Sequence, residues 1–87
     1  MGEGFEVTLQ ETAEMMCSED YKERFKAEYY QVDIRCNRLR VMLEKWQNGT
    51  LEFKPTCPYD TLHTQLVFME AYRNTLEGRA ILEHIDL

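Results

Sequence analysis

The chain reads as all-α: a short N-terminal helix followed by a long antiparallel two-helix hairpin that assembles as a homo-oligomer. Three observations predict this. Phe25, Tyr29, Val32, Cys36, Leu39, Leu43 and Trp46 recur in alternating steps of four and three, which is the seam of a coiled-coil-like helix. Leu62, Leu66, Met69, Tyr72, Leu76 and Ala80 form a second helical stripe able to face the first. A short connection with Asn48-Gly49, Pro55 and Pro58 separates the two, so the helices must return antiparallel.

The elements follow in order. Residues 1–7 read as a flexible arm with Gly2 and Gly4, and residues 8–87 as a single helical hairpin domain. Thr8 with Glu11 fits a capping box, and Leu9, Thr12, Ala13 and Met16 give a first helix over about residues 8–17 one apolar face. Ser18 is a candidate N-cap for a second helix over about 19–48, with Glu19 and Asp20 favourable at its N-terminal dipole. Asn48-Gly49 is a C-terminal signal. Leu51 and Phe53 are expected to tuck in beneath the connection. Pro58 suits the first turn of a third helix over about 58–85, with Asp60 at its dipole. No strand or internal repeat is visible.

A lone hairpin needs one apolar stripe per helix, and these helices carry more. Ala27, Tyr30, Ile34 and Val41 lie off the first seam, and Val67, Ala71, Gly78, Ile81 and Ile85 lie off the second. Helices apolar on two sides are buried on two sides. The first helix is long enough to cover only one extra stripe, which predicts self-association.

Composition narrows the function. Eighty-seven residues allow one domain with a limited core. No apolar run is long enough to span a bilayer, and the N-terminus lacks the pattern of a signal peptide, so a cytoplasmic protein is expected. Cys17, Cys36 and Cys57 are odd in number and scattered, which fits reduced thiols. A net charge of −6 argues against DNA or RNA binding. The charge is unevenly spread, because seven of the ten basic residues lie between Lys22 and Lys45.

Catalytic chemistry is not in view. No glycine-rich phosphate loop occurs. His63 and His84, the two histidines, stand about 31 Å apart along a straight helix and cannot share a metal. No cofactor is expected, and the chain does not read as an enzyme. The cationic helix is the stronger signal. Arg24, Arg38 and Lys45 share one heptad position, with Gln31 between them, and Tyr21 and Arg35 share another. Arginine offers a planar fork for phosphate and tyrosine a ring for a base. The same arginines could instead pair with acids of neighbouring helices. Tyr21 and Arg35 lie about 21 Å apart along a straight helix, so one small ligand touching both would need them from different subunits.

The segments SEDYKERFKAEYY, GTLEFKPTCP and LHTQLVFMEAYRNTLEGRAILEHIDL resemble small phage and prophage proteins. These in turn are similar to the α-hairpin family of anti-CBASS and anti-Thoeris cyclic-nucleotide sponges. The resemblance implies a non-enzymatic homo-oligomer, typically a hexamer, acting in the cytoplasm of the infected bacterial host. It implies capture, without cleavage, of cyclic di- or trinucleotides or cyclic ADP-ribose-type signals. It carries onto Tyr21 a base-stacking role and onto Arg35 a phosphate-binding one. FMEAYR places Arg73, with Asn37 as its neighbour across the hairpin, in a second type of pocket. Arg24 and Arg38 complete the expected ligand-binding set. The competing expectation is an acidic phage accessory protein that inhibits a host protein by direct binding, through the acidic stretches near the two ends of the chain.

Overall fold

The computed structural model describes residues 7–87, and the expected arm at 1–7 lies almost wholly outside them. Three helices are present: α1 Leu9–Met16, α2 Tyr21–Asn48 and α3 Tyr59–Glu83, with no strand among the described residues. The molecule is a rod of 43 × 26 × 25 Å.

Each helix starts and stops for a local reason. Thr8 and Glu11 form the capping box: Oγ1 of Thr8 accepts from the Glu11 N–H at 3.1 Å, and the Glu11 carboxylate accepts from the Thr8 N–H at 2.9 Å. The N-cap of α2 is Asp20, not Ser18. Asp20 Oδ1 accepts from the Lys22 N–H at 3.0 Å, while Ser18 Oγ accepts from the Asp20 N–H and shapes the turn before it. A carboxylate satisfies an end donor and complements the dipole at once, so it takes the cap. Gly49 ends α2 at φ 74°, and the Thr50 N–H reaches the Lys45 carbonyl at 2.9 Å, as a left-handed cap requires. Pro58 is the N-cap of α3 rather than its first helical residue, and it contributes no side-chain cap. α3 ends at Glu83 because His84 turns left-handed at φ 59°. The Ile85 N–H then bonds back to the Ala80 carbonyl at 2.9 Å.

The hairpin is antiparallel. Phe25, early in α2, packs with Leu76, Ala80 and Ile85 at the far end of α3, joined by Tyr29 and Val32. Cys36 and Leu43 pack with Leu66 near the start of α3, joined by Leu39, Met42, Trp46, Tyr59, Leu62 and Met69. The α2 seam is as expected. The α3 seam differs at one place: Tyr72 is 43 % exposed, and Arg73 takes the inward position. Ile85, expected on an outer stripe, is buried in the hairpin instead, carried inward by the turn at His84. Phe53 does not tuck in but stands exposed on the connection.

Helix α1 lies on α2. Thr12 is fully buried, and Gln31 reaches its hydroxyl at 3.5 Å. Ala27, one turn before Gln31, is also fully buried. The three cysteines are unpaired, with Cys36 in the core.

Candidate functional site

All three helices border an open groove of about 750 Å³. Leu9 and Met16 enter from α1; Glu28, Gln31, Val32, Arg35, Arg38 and Leu39 from α2; Gln65, Met69 and Tyr72 from α3. Leu9, Val32, Leu39 and Met69 give it an apolar lining. Arg35 and Arg38, one turn apart, bring two guanidinium groups to it. Both are exposed, and among the described residues neither has an acidic partner within 4.0 Å. Tyr72 donates its hydroxyl to Glu28, which pushes the tyrosine pKa upward through that hydrogen bond and then through burial. The groove thus combines apolar surface, an aromatic ring, two amides, two guanidinium cations and one carboxylate, Glu28, which the Tyr72 hydroxyl engages. That is the make-up of a small-molecule site able to take an anion attached to a flat apolar body.

Of the residues expected to bind a ligand, only Arg35 and Arg38 border this groove. Tyr21, the first residue of α2, is not among the residues that line it. Its hydroxyl donates to Glu83 Oε1 at 2.7 Å and accepts from Arg79 Nη2 at 2.9 Å. The hydrogen bond to Glu83 raises the Tyr21 pKa and holds that of Glu83 below the usual carboxylate value. Arg79 also stacks over the Phe25 ring at 4.9 Å. Arg24 donates to the Ser18 carbonyl at 2.8 Å and so fastens the α1–α2 turn. Arg73 and Asn37 meet across the hairpin, with Arg73 Nη1 donating to Asn37 Oδ1 at 3.4 Å. The same nitrogen pairs with Asp33 at 3.1 Å, and Asn37 also accepts from Arg40. Arg73 therefore bridges α3 to α2 from a position only 18 % exposed.

Gln65, Met69 and Tyr72 are groove residues that the sequence did not single out as such. By spacing, Tyr72 counts toward the expected α3 seam. The signal was available in the heptad arithmetic: stepping by four and three from Leu62 through Leu66 and Met69 arrives at Arg73, leaving Tyr72 on the seam's edge.

Other features are secondary. A cleft of about 280 Å³ lies at the connection between Trp46, Gly49, Leu51, Phe53, Lys54 and Pro55. Trp46 meets Tyr59 edge-on, and His63 stacks on Tyr59 at 6.0 Å. Among the described residues no cluster of three metal-ligating side chains occurs, and no helix is long and apolar enough to cross a membrane.

No curated protein and no solved structure matches the chain. A family profile does, over residues 19–82, and its description is Sequestin. The matched stretch takes in α2, the connection and nearly all of α3, the elements that supply most of the groove, and leaves α1 outside. The match spans well over half of the chain, and on it the protein belongs to the Sequestin family.

Proposed function

We propose that this protein sequesters cyclic nucleotide signals: it binds cyclic di- or trinucleotides, or cyclic ADP-ribose-type molecules, and holds them without cleaving them. Its setting would be the cytoplasm of a phage-infected bacterium, where withholding such a signal silences defence. The observation that carries the reading is the placement of Arg35 and Arg38 beside an apolar, tyrosine-bordered groove. Phosphodiester anions take the guanidinium forks, while a base lies against Val32, Leu39, Met69 and the Tyr72 ring. Gln31 and Gln65 offer hydrogen bonds to base edges. The family name points to sequestration and so to binding rather than catalysis. Tyr21, Arg24, Asn37 and Arg73 stand away from the groove within one chain. They would join a ligand only where a second copy brings them to it.

The test is calorimetric titration of the protein with a panel of cyclic di- and trinucleotides and cyclised ADP-ribose isomers. Binding is followed by release of the ligand on denaturation and chromatography of the released material. The expected result is binding of one class and its recovery intact. Arg35→Glu and Arg38→Glu should each weaken that binding at least ~10-fold, as loss of a charge-assisted phosphate contact does. Affinity should fall as salt rises. No heat with any member of the panel, or full affinity in both variants, would overturn the assignment.

A further inference from the structure

The groove has two chemically different ends. Glu28 shares a face of α2 with Arg35, two turns and about 10 Å earlier along the axis. Arg38 follows one turn after Arg35. Helix α3 runs the other way, so its later residues lie beside the earlier ones of α2. Tyr72 accordingly meets Glu28, to which its hydroxyl donates, and Gln65 lies two turns nearer the arginines. One end thus holds a carboxylate and an aromatic ring, and the other holds two guanidinium groups. Their separation suits a nucleotide, which has a hydrogen-bonding base edge at one extremity and a phosphate at the other.

An acid in a groove built for anions calls for a reason. Glu28 is half-buried, and among the described residues it has no cationic partner within 4.0 Å. A phosphate beside it would be repelled. That repulsion gives the ligand a direction, with phosphate at Arg35 and Arg38 and base at Glu28. Joining the helices does not account for its place. The Tyr21–Glu83 and Tyr29–Glu77 bonds also join α2 to α3, and their acids stand on α3, outside the groove lining. Here the acid comes from α2 and borders the groove.

Building on the groove as a cyclic-nucleotide site, we infer that Glu28 reads the base of the ligand and selects guanine. A carboxylate has two acceptor oxygens and no donor. Guanine sets two N–H donors side by side on its Watson–Crick edge, at N1 and at the exocyclic amine. Both bond in parallel to one carboxylate, as a guanidinium does. Adenine and cytosine place a ring-nitrogen lone pair beside their amine, and uracil sets one N–H between two carbonyls. Each of these turns a lone pair toward the carboxylate. Tyr72 assists the selection. Each carboxylate oxygen has two acceptor sites, so the Tyr72 bond leaves both oxygens able to accept from the base. That bond also holds the carboxylate in one orientation, which lessens the ordering needed on binding.

Calorimetric titration of the full chain with three cyclic dinucleotides tests this: the guanine ring, the adenine ring, and the hypoxanthine ring, which keeps the N1 donor and lacks the amine. The wild type should bind the guanine ring at least ~10-fold more tightly than the adenine ring, with hypoxanthine between them. Glu28→Gln, which still offers Tyr72 an acceptor, should erase that preference. Arg35→Glu should weaken all three rings alike, because it acts on the phosphate. Tyr72→Phe keeps both the aromatic ring and the acid, and should narrow the preference. A Glu28 that merely tied α2 to α3 would give Glu28→Gln and Tyr72→Phe the same lowered Tm and an intact preference, which overturns the inference. Equal or tighter binding of the adenine ring also overturns it and leaves sequestration standing, as does binding of cyclised ADP-ribose with none of the three rings. Binding of no cyclic nucleotide at all overturns both readings.

Discussion

Arg73 shows how one side chain sets the register of the hairpin. It occupies a seam position between the Phe25–Leu76 cluster and the Cys36–Leu66 cluster, where an apolar residue would be expected. Asp33 and Asn37 satisfy it from α2. A half-buried ion pair is weak as a source of stability but strong as a marker of alignment, because any slip leaves a charge unpaired. Asp33→Ala should therefore destabilise the protein by about 2 kcal/mol. Replacing both members, as Asp33→Leu with Arg73→Leu, should be close to neutral. Urea denaturation of the two variants checks this, and equal losses in both would refute the argument. Arginine at 73 was legible as a candidate ligand, but its bridging role was not. Sequence spacing shows which residues share a face and does not show which acid across the interface answers a base.

At the scale of elements, the ends of the helices decide more than their middles. Gly49 takes a left-handed cap without strain, whereas His84 takes the same conformation with a Cβ. The left-handed region is unfavourable for ordinary residues. The cap is kept because it delivers Ile85, 6 % exposed, onto Phe25, Leu76 and Ala80. His84→Gly should relieve the strain and stabilise the fold by about 0.5–1 kcal/mol, raising Tm by about 3–6 °C. A drop in Tm on calorimetry would show that the imidazole itself contributes. The capping box at Thr8 and the stop at Gly49 were readable because caps are local chemistry. Ser18 misled because it sits two residues before a better acceptor, Asp20, and both residue types suit the position.

At the scale of the whole molecule, tyrosine–carboxylate hydrogen bonds lace α2 to α3: Tyr21 to Glu83, Tyr29 to Glu77 and Tyr72 to Glu28. Burial first, and then the bond to Glu77, pushes the Tyr29 hydroxyl well above its ordinary 10.0. A phenol whose folded pKa is raised contributes stability that is complete below its unfolded pKa and is lost as pH rises through the folded value. The protein should therefore lose stability progressively above about pH 10, and Tyr29→Phe should lessen that slope. Denaturation midpoints measured across pH 8–12 check this, and an identical slope in the variant would exclude Tyr29 as the cause. The effect of Glu83 is opposite in sign. Its lowered pKa gives a contribution present above the ordinary carboxylate value and lost as acid protonates it.

The helices, their caps at Thr8 and Gly49, the α2 seam and the chain's return as α3 are all legible in the order of the amino acids. Each rests on residues near one another in sequence, where period and cap chemistry act directly. Of the candidate ligand-binding residues, Arg35 and Arg38 are the two that the fold places along the groove. Packing between the helices settles that Arg73 rather than Tyr72 turns inward, that Tyr21 is held by Glu83 outside the groove lining, and that α1 completes the groove with Leu9 and Met16. These are matters of which side chain meets which across a helix interface. A rotation of one residue on the helix, about 100°, separates a buried place from an exposed one. Sequence periodicity fixes a face to about that width, and contact with a neighbouring helix settles the rest.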